Sequence, residues 1–137
     1  MIKPILLTLA VVFLLSCNNS AKEAKKKSDL IIMTPGGLND AKLADTLVIY
    51  EDVCRSCAYE KSTHFEVVDS NGLVKVSKIE TIDNNPPNVD GGSIDKHIYL
   101  VPVKTGRTKI KLYKFKDEHP TAEDSIMFKT YDIQIKE

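Results

Sequence analysis

Two cysteines in a C-x-x-C spacing, Cys54 and Cys57 in EDVCRSCAYEKSTHF, are the side chains of this chain best suited to chemistry, with His64 following them. Such a pair supports three chemistries. Redox catalysis needs a depressed thiol pKa, which the N-terminus of a helix supplies. Here the pair follows the strand-like DTLVIYEDV and no helical pattern comes after it. Arg55 would favour a thiolate, but Glu51 and Asp52 oppose one. Structural zinc needs four ligands. His64 with His97 or His119 would have to complete the set, at a spacing unlike the common Cys/His modules, and there is no second C-x-x-C. The third chemistry is a disulfide, which needs only an oxidising compartment.

The compartment is written at the N-terminus, MIKPILLTLAVVFLLSCNNS. Lys3 is a short positive lead. Ile5 to Leu15 is an apolar run too short to span a bilayer, which takes about 18 residues or more. The run ends in Leu14-Leu15-Ser16-Cys17, which resembles a bacterial lipobox. That resemblance implies a signal peptide over residues 1–16, cleaved after the small Ser16, and a Cys17 thiol that accepts a diacylglyceryl group and further acyl chains such as palmitate. One acyl chain anchors marginally and several anchor durably, so the expectation is a tethered domain held at the membrane by lipid alone. Asn18 in place of aspartate implies, by the sorting habit of enterobacterial lipoproteins, the outer membrane, facing periplasm or surface. Residues 17–29 lack an apolar period and read as a flexible, lysine-rich tether. With Cys17 taken by lipid, Cys54 and Cys57 remain as an even pair in an oxidising space. A disulfide is then the expected state. Closing so short a loop contributes only about 2 kcal/mol in the chain-entropy account, enough to stiffen a loop.

The elements that must hold this loop are strands. The chain carries 19 basic and 19 acidic residues. That balance argues against a nucleic-acid partner, since phosphate binding needs clustered positive charge. From residue 30 to 137 the apolar period is two. Candidate strands are Leu30–Thr34, Thr46–Glu51, His64–Asp69, Val74–Thr81, Lys96–Val103, Thr108–Phe115 and Ile126–Lys136. Turn chemistry separates them: Pro35-Gly36-Gly37, Ser70-Asn71-Gly72, Asn84-Asn85-Pro86-Pro87, Gly91-Gly92 and Thr105-Gly106. Tyr131, Ile133 and Ile135 alternate with polar residues, as do Ile110 and Leu112, the mark of an antiparallel sheet with one wet face. Seven such strands predict an all-β, immunoglobulin-like antiparallel β-sandwich. Leu38–Leu43 reads as at most one helical turn.

From about Thr46 onward the order of features resembles the chagasin-type cysteine protease inhibitors. These are small immunoglobulin-like sandwiches whose three loops, bearing N-P-T-T-G-Y, G-x-G-G and R-P-W, plug the cleft of papain-like proteases. Cys54–Tyr59 stands at the first loop and HFEVVDSN at the strand after it. Val89-Asp90-Gly91-Gly92 stands at the second, and LVPVKTGRTKIKLYKF at the strands before the third. Tyr59, Gly91 and Gly92 match the motifs; Val89 replaces a glycine, and Phe115-Lys116-Asp117 occupies the third position without proline or tryptophan. The resemblance implies a non-catalytic, monomeric protein-binding module, with a cysteine protease as the partner. Its contact residues would be Arg55, Ser56, Ala58 and Tyr59, Val89 to Gly92, and Phe115 to Asp117.

Other constellations are weaker. No serine sits in G-x-S-x-G, and no glycine-rich phosphate loop opens a helix. DNNPPNVDGGS over 83–93 has oxygen donors but lacks the D-x-D-x-D-G register of a calcium loop. No enzyme, metal or cofactor is expected. The polar stretch 116–124, the 83–93 stretch and the C-x-x-C loop are expected to cluster at one end as a recognition surface. Two alternatives share the compartment: an accessory lipoprotein of an envelope assembly, and a thiol or zinc protein built on Cys54 and Cys57.

Overall fold

The period-two pattern becomes eight strands in a computed structural model that describes residues 28–137. The expected signal peptide, Cys17 and the tether up to Lys27 lie outside the described residues. In chain order the strands are β1 (Leu30–Ile32), β2 (Leu38–Lys42), β3 (Thr46–Cys54), β4 (His64–Asp69), β5 (Val74–Ile82), β6 (Ser93–Pro102), β7 (Gly106–Phe115) and β8 (Phe128–Lys136). They form two four-stranded sheets, β1-β3-β6-β5 and β2-β8-β7-β4. Leu47, Ile49, Ile98 and Leu100 of the first sheet belong to one buried core with Ile110, Leu112, Tyr131, Ile133 and Ile135 of the second. Among the described residues, every buried apolar side chain lies between Met33 and Ile135, so this segment carries its own core.

Leu38–Lys42 is a strand, where the sequence suggested at most a helical turn. Its buried positions are Asn39 and Ala41, which a scan for large apolar residues passes over. The sandwich is also not wholly antiparallel. β1 runs parallel to β3, with Leu30 opposite Thr46, and β2 runs parallel to β8, with Leu38 opposite Asp132. The cause is a strand that changes sheet. After the Met33 N–H donates to Val48 O, the chain turns at Pro35-Gly36, with Gly36 at φ 71°, and continues on the other sheet. Buried Asn39 secures the crossing. Its Oδ1 accepts from the Thr34 N–H at 2.8 Å, and its Nδ2 donates to Thr34 O at 3.1 Å and Asp132 O at 3.0 Å.

At the end where β3 begins, Asp69 clamps the β4–β5 turn. It accepts from the backbone N–H groups of Asn71 (3.0 Å), Leu73 (2.6 Å) and Val74 (2.9 Å) and from Thr108 Oγ1 (2.6 Å). Partial burial pushes its pKa up, but these four donors outweigh burial and hold it below the ordinary aspartate value. A depressed folded-state pKa stabilises the fold above the unfolded-state value, and that contribution is lost as pH falls through the folded one. Urea unfolding followed below pH 4 should therefore show a loss of stability that Asp69→Asn reduces; an identical acid dependence in the variant would remove Asp69 from the account.

Candidate binding face at one end of the sandwich

Strand direction decides which loops meet. β3 ends at Cys54 opposite Ser93, where β6 begins. β4 begins at His64 opposite Phe115, where β7 ends. β7 and β8 are joined beyond Tyr113 and Phe128. Loops 55–63, 83–92 and 116–127 therefore share one end, opposite to the start of β1. The C-x-x-C loop lies in the middle, since it bonds to both of the others.

Its link to loop 83–92 is Arg55. The Arg55 N–H donates to Gly92 O at 3.0 Å, Nη1 donates to Val89 O, and Nε pairs with Asp83 at 3.1 Å. Asn85, bonded to Asp83 through its side chain and its backbone N–H, holds the Asp83 carboxyl below its ordinary pKa, with Arg55 adding to the effect. Asn85 Nδ2 also donates to Ser93 O at 2.6 Å, which folds the loop back on the start of β6. The link to loop 116–127 is made by Ser62 Oγ, donating to Lys116 O at 2.6 Å, and by Lys116 Nζ, 5.1 Å from the centre of the Tyr59 ring.

Cys54 and Cys57 are joined by a disulfide, with their Cα atoms 5.7 Å apart. Neither sulfur is a free thiolate in this state. Among the described residues, no three His, Cys, Asp or Glu side chains are gathered to hold a metal. His64 leans on Phe115, with centroids 5.2 Å apart, and His97 on Tyr50 at 4.5 Å.

The expected contact positions differ in exposure. Ser56, Ala58, Tyr59, Val89, Asp90, Gly92, Lys116 and Asp117 are exposed. Arg55 and Gly91 are half-buried. Phe115 is buried, stacked on Tyr113 at 5.6 Å, and supports the third loop from beneath. Two large apolar side chains that sequence reasoning assigned to the last strand stand at this end instead. Ile126 and Met127 are 72% and 70% exposed. A single 3-10 turn over Asp124–Ile126 precedes β8 and carries them outward. With Phe128, Leu112, Lys114 and Lys116 they line a groove of about 410 Å³. The signal was available: Ile126 and Phe128 fall out of phase with Tyr131, Ile133 and Ile135. The face is thus apolar at its tips, through Tyr59, Val89, Ile126 and Met127, and polar between them.

The fold is similar to that of the cysteine protease inhibitor EhICP2 from Entamoeba histolytica, with a TM-score of 0.63 at 18% identity over 80% of this chain and 97% of that one. It is also similar to amebosin in solution, with a TM-score of 0.58 at 15% identity over 80% of this chain and 99% of that one. The likeness is one of fold, and the all-β immunoglobulin-like sandwich expected from the sequence is present. No protein-family model matches the chain, and no curated protein matches it in sequence.

Gly91 and Gly92 adopt φ of 86° and 88°. A Cβ on Gly91 meets open space, whereas one on Gly92 would lie 2.6 Å from Asn85 Oδ1. Both alanine variants should lose about 1–2 kcal/mol to backbone strain. Gly92→Ala should lose more, because Asn85 must release Ser93. Equal thermal shifts for the two variants would show that the Asn85 bracket carries no load.

Proposed function

We propose that this protein is a non-catalytic, lipid-anchored module of the bacterial cell envelope that binds, and blocks, a papain-type cysteine protease through loops 55–63, 83–92 and 116–127. The observation that carries this reading is the single face these loops make. They are cross-tied by Arg55 and Ser62 and borne on a sandwich similar in fold to a cysteine protease inhibitor. Tied loops lose less freedom on contact, which favours tight binding. The exposed apolar tips supply the area that a cleft would cover.

The place of the N-terminus suits the same role. β1 starts beside Thr46, and β3 runs from there to the loops at Cys54, a rise of about 26 Å at ~3.3 Å per residue. A chain tethered through Cys17 would therefore enter at one end and hold its binding face away from the bilayer. The outer membrane, facing periplasm or surface, is the location this reading takes from Asn18.

Residues 18–137 should inhibit papain reversibly and in proportion to the amount added. Removing the apolar tips with Ile126→Ser/Met127→Ser should weaken inhibition about tenfold or more, given the ~1.5–3 kcal/mol associated with covering one such side chain. In cells, labelled palmitate should enter the full chain, and Cys17→Ala should abolish the label. No inhibition at high micromolar protein would exclude the papain-type reading, and palmitate-free membrane association would exclude the anchor.

A further inference from the structure

We propose that the Cys54–Cys57 disulfide is a redox latch on the binding face, opened by the same class of small thiol reductant that keeps a cysteine protease active. The inference rests on the protease-binding reading of these loops. The disulfide closes a ring that holds only Arg55 and Ser56 between its cysteines. Ser56 sits at φ 62°, a left-handed conformation that a residue with a Cβ adopts at a cost. Two restraints keep it there: the ring, and the Glu60 carboxylate, which accepts the Ser56 N–H at 2.5 Å. Arg55, inside the ring, makes every hydrogen bond and ion pair described between loops 55–63 and 83–92. The disulfide therefore positions the arginine that shapes two-thirds of the face.

The chemistry balances with one named co-reactant. A thiolate of the reductant attacks one sulfur of the pair, breaking the Cys54–Cys57 bond and forming a mixed disulfide. A second thiolate displaces the protein sulfur. The reductant leaves as its own disulfide, and Cys54 and Cys57 take up protons as free thiols. Both cysteines are only half-buried, which leaves this loop open to a small thiol. Once the ring opens, Ser56 relaxes toward ordinary backbone and Arg55 loses its fixed aim at Gly92, Val89 and Asp83. The sandwich itself is untouched, because its core lies in the sheets and Cys54 keeps its ladder position opposite Ser93. A cysteine protease attacks with a thiolate and is idle when that sulfur is oxidised. One reductant thus arms the enzyme and loosens its inhibitor together.

The test compares oxidised and phosphine-reduced residues 18–137 by amide hydrogen exchange. Reduction should speed exchange at Arg55 and Val89 at least tenfold and leave β7 and β8 unchanged. Binding to papain that has been activated and then freed of reductant should weaken at least tenfold for Cys54→Ser/Cys57→Ser, and equally for oxidised Arg55→Ala. Unchanged exchange at Arg55 after reduction overturns the latch, as does measurable papain binding that is equally tight for all forms. If the double variant does not fold, reduced wild-type protein with alkylated thiols makes the same comparison. Loosened loops in a protein that never binds papain would leave the latch standing and remove the protease reading.

Discussion

The packing of one apolar sheet face on another is the constraint from which the rest of the molecule follows. Leu47, Ile49, Ile98 and Leu100 must meet Ile110, Leu112, Tyr131, Ile133 and Ile135 away from water. Because side chains alternate along a strand, this fixes the register of every central pairing; a slip of one residue would turn a whole face outward. Fixed register fixes strand ends. The turns then gather at two poles, and the longer connections, 55–63, 83–92 and 116–127, all fall at one of them. The clustering of the three loops is a consequence of core alternation, refined afterwards by local bonds.

Toward that pole the core gives way to polar contacts. Glu51 occupies an inward position on β3 and is buried, and its carboxylate pairs with Lys129 Nζ of β8 at 2.5 Å, joining the two sheets. Tyr131, one inward position further along β8, has its pKa raised to about 12, first by burial and then by the Glu51 charge. Lys114 reaches from β7 to the Asp52 carbonyl. Glu51 is buried and Lys129 exposed, so losing Lys129 would strand the Glu51 charge. They let a dry core end beside an exposed groove without an orphaned polar group, and no buried side-chain nitrogen or oxygen among the described residues lacks a partner.

Much of this architecture was legible in sequence. Seven of the eight strands announce themselves through runs of Val, Ile, Leu, Tyr and Phe, and the glycine and proline clusters mark the turns. What escaped was carried by residues whose burial is not written in their chemistry. β2 hides because its inward positions are Asn39 and Ala41, one a polar bracket and the other small. The parallel pairings hide because a sheet-crossing bend depends on hydrogen bonds to Asn39 rather than on period. At the loop-bearing end, the C-x-x-C pair and its disulfide were readable from spacing and from the compartment expected of the N-terminus. The role of Arg55 was not, since its partners Asp83, Val89 and Gly92 are about 30 residues away in the chain. Ile126 and Met127 read as strand because they are apolar; only the phase of Ile126 and Phe128 against Tyr131 betrays the break.

The central claim is that this face occupies the active cleft of a papain-type protease. Its most direct test is the rate at which iodoacetamide alkylates the catalytic cysteine of papain as residues 18–137 are added. The account predicts that alkylation slows in step with saturation and recovers when the protein is removed, because loop 55–63 and its neighbours cover the thiol. Alkylation at an undiminished rate under saturating protein would show the cleft open, and would contradict the account even if the two proteins bind elsewhere.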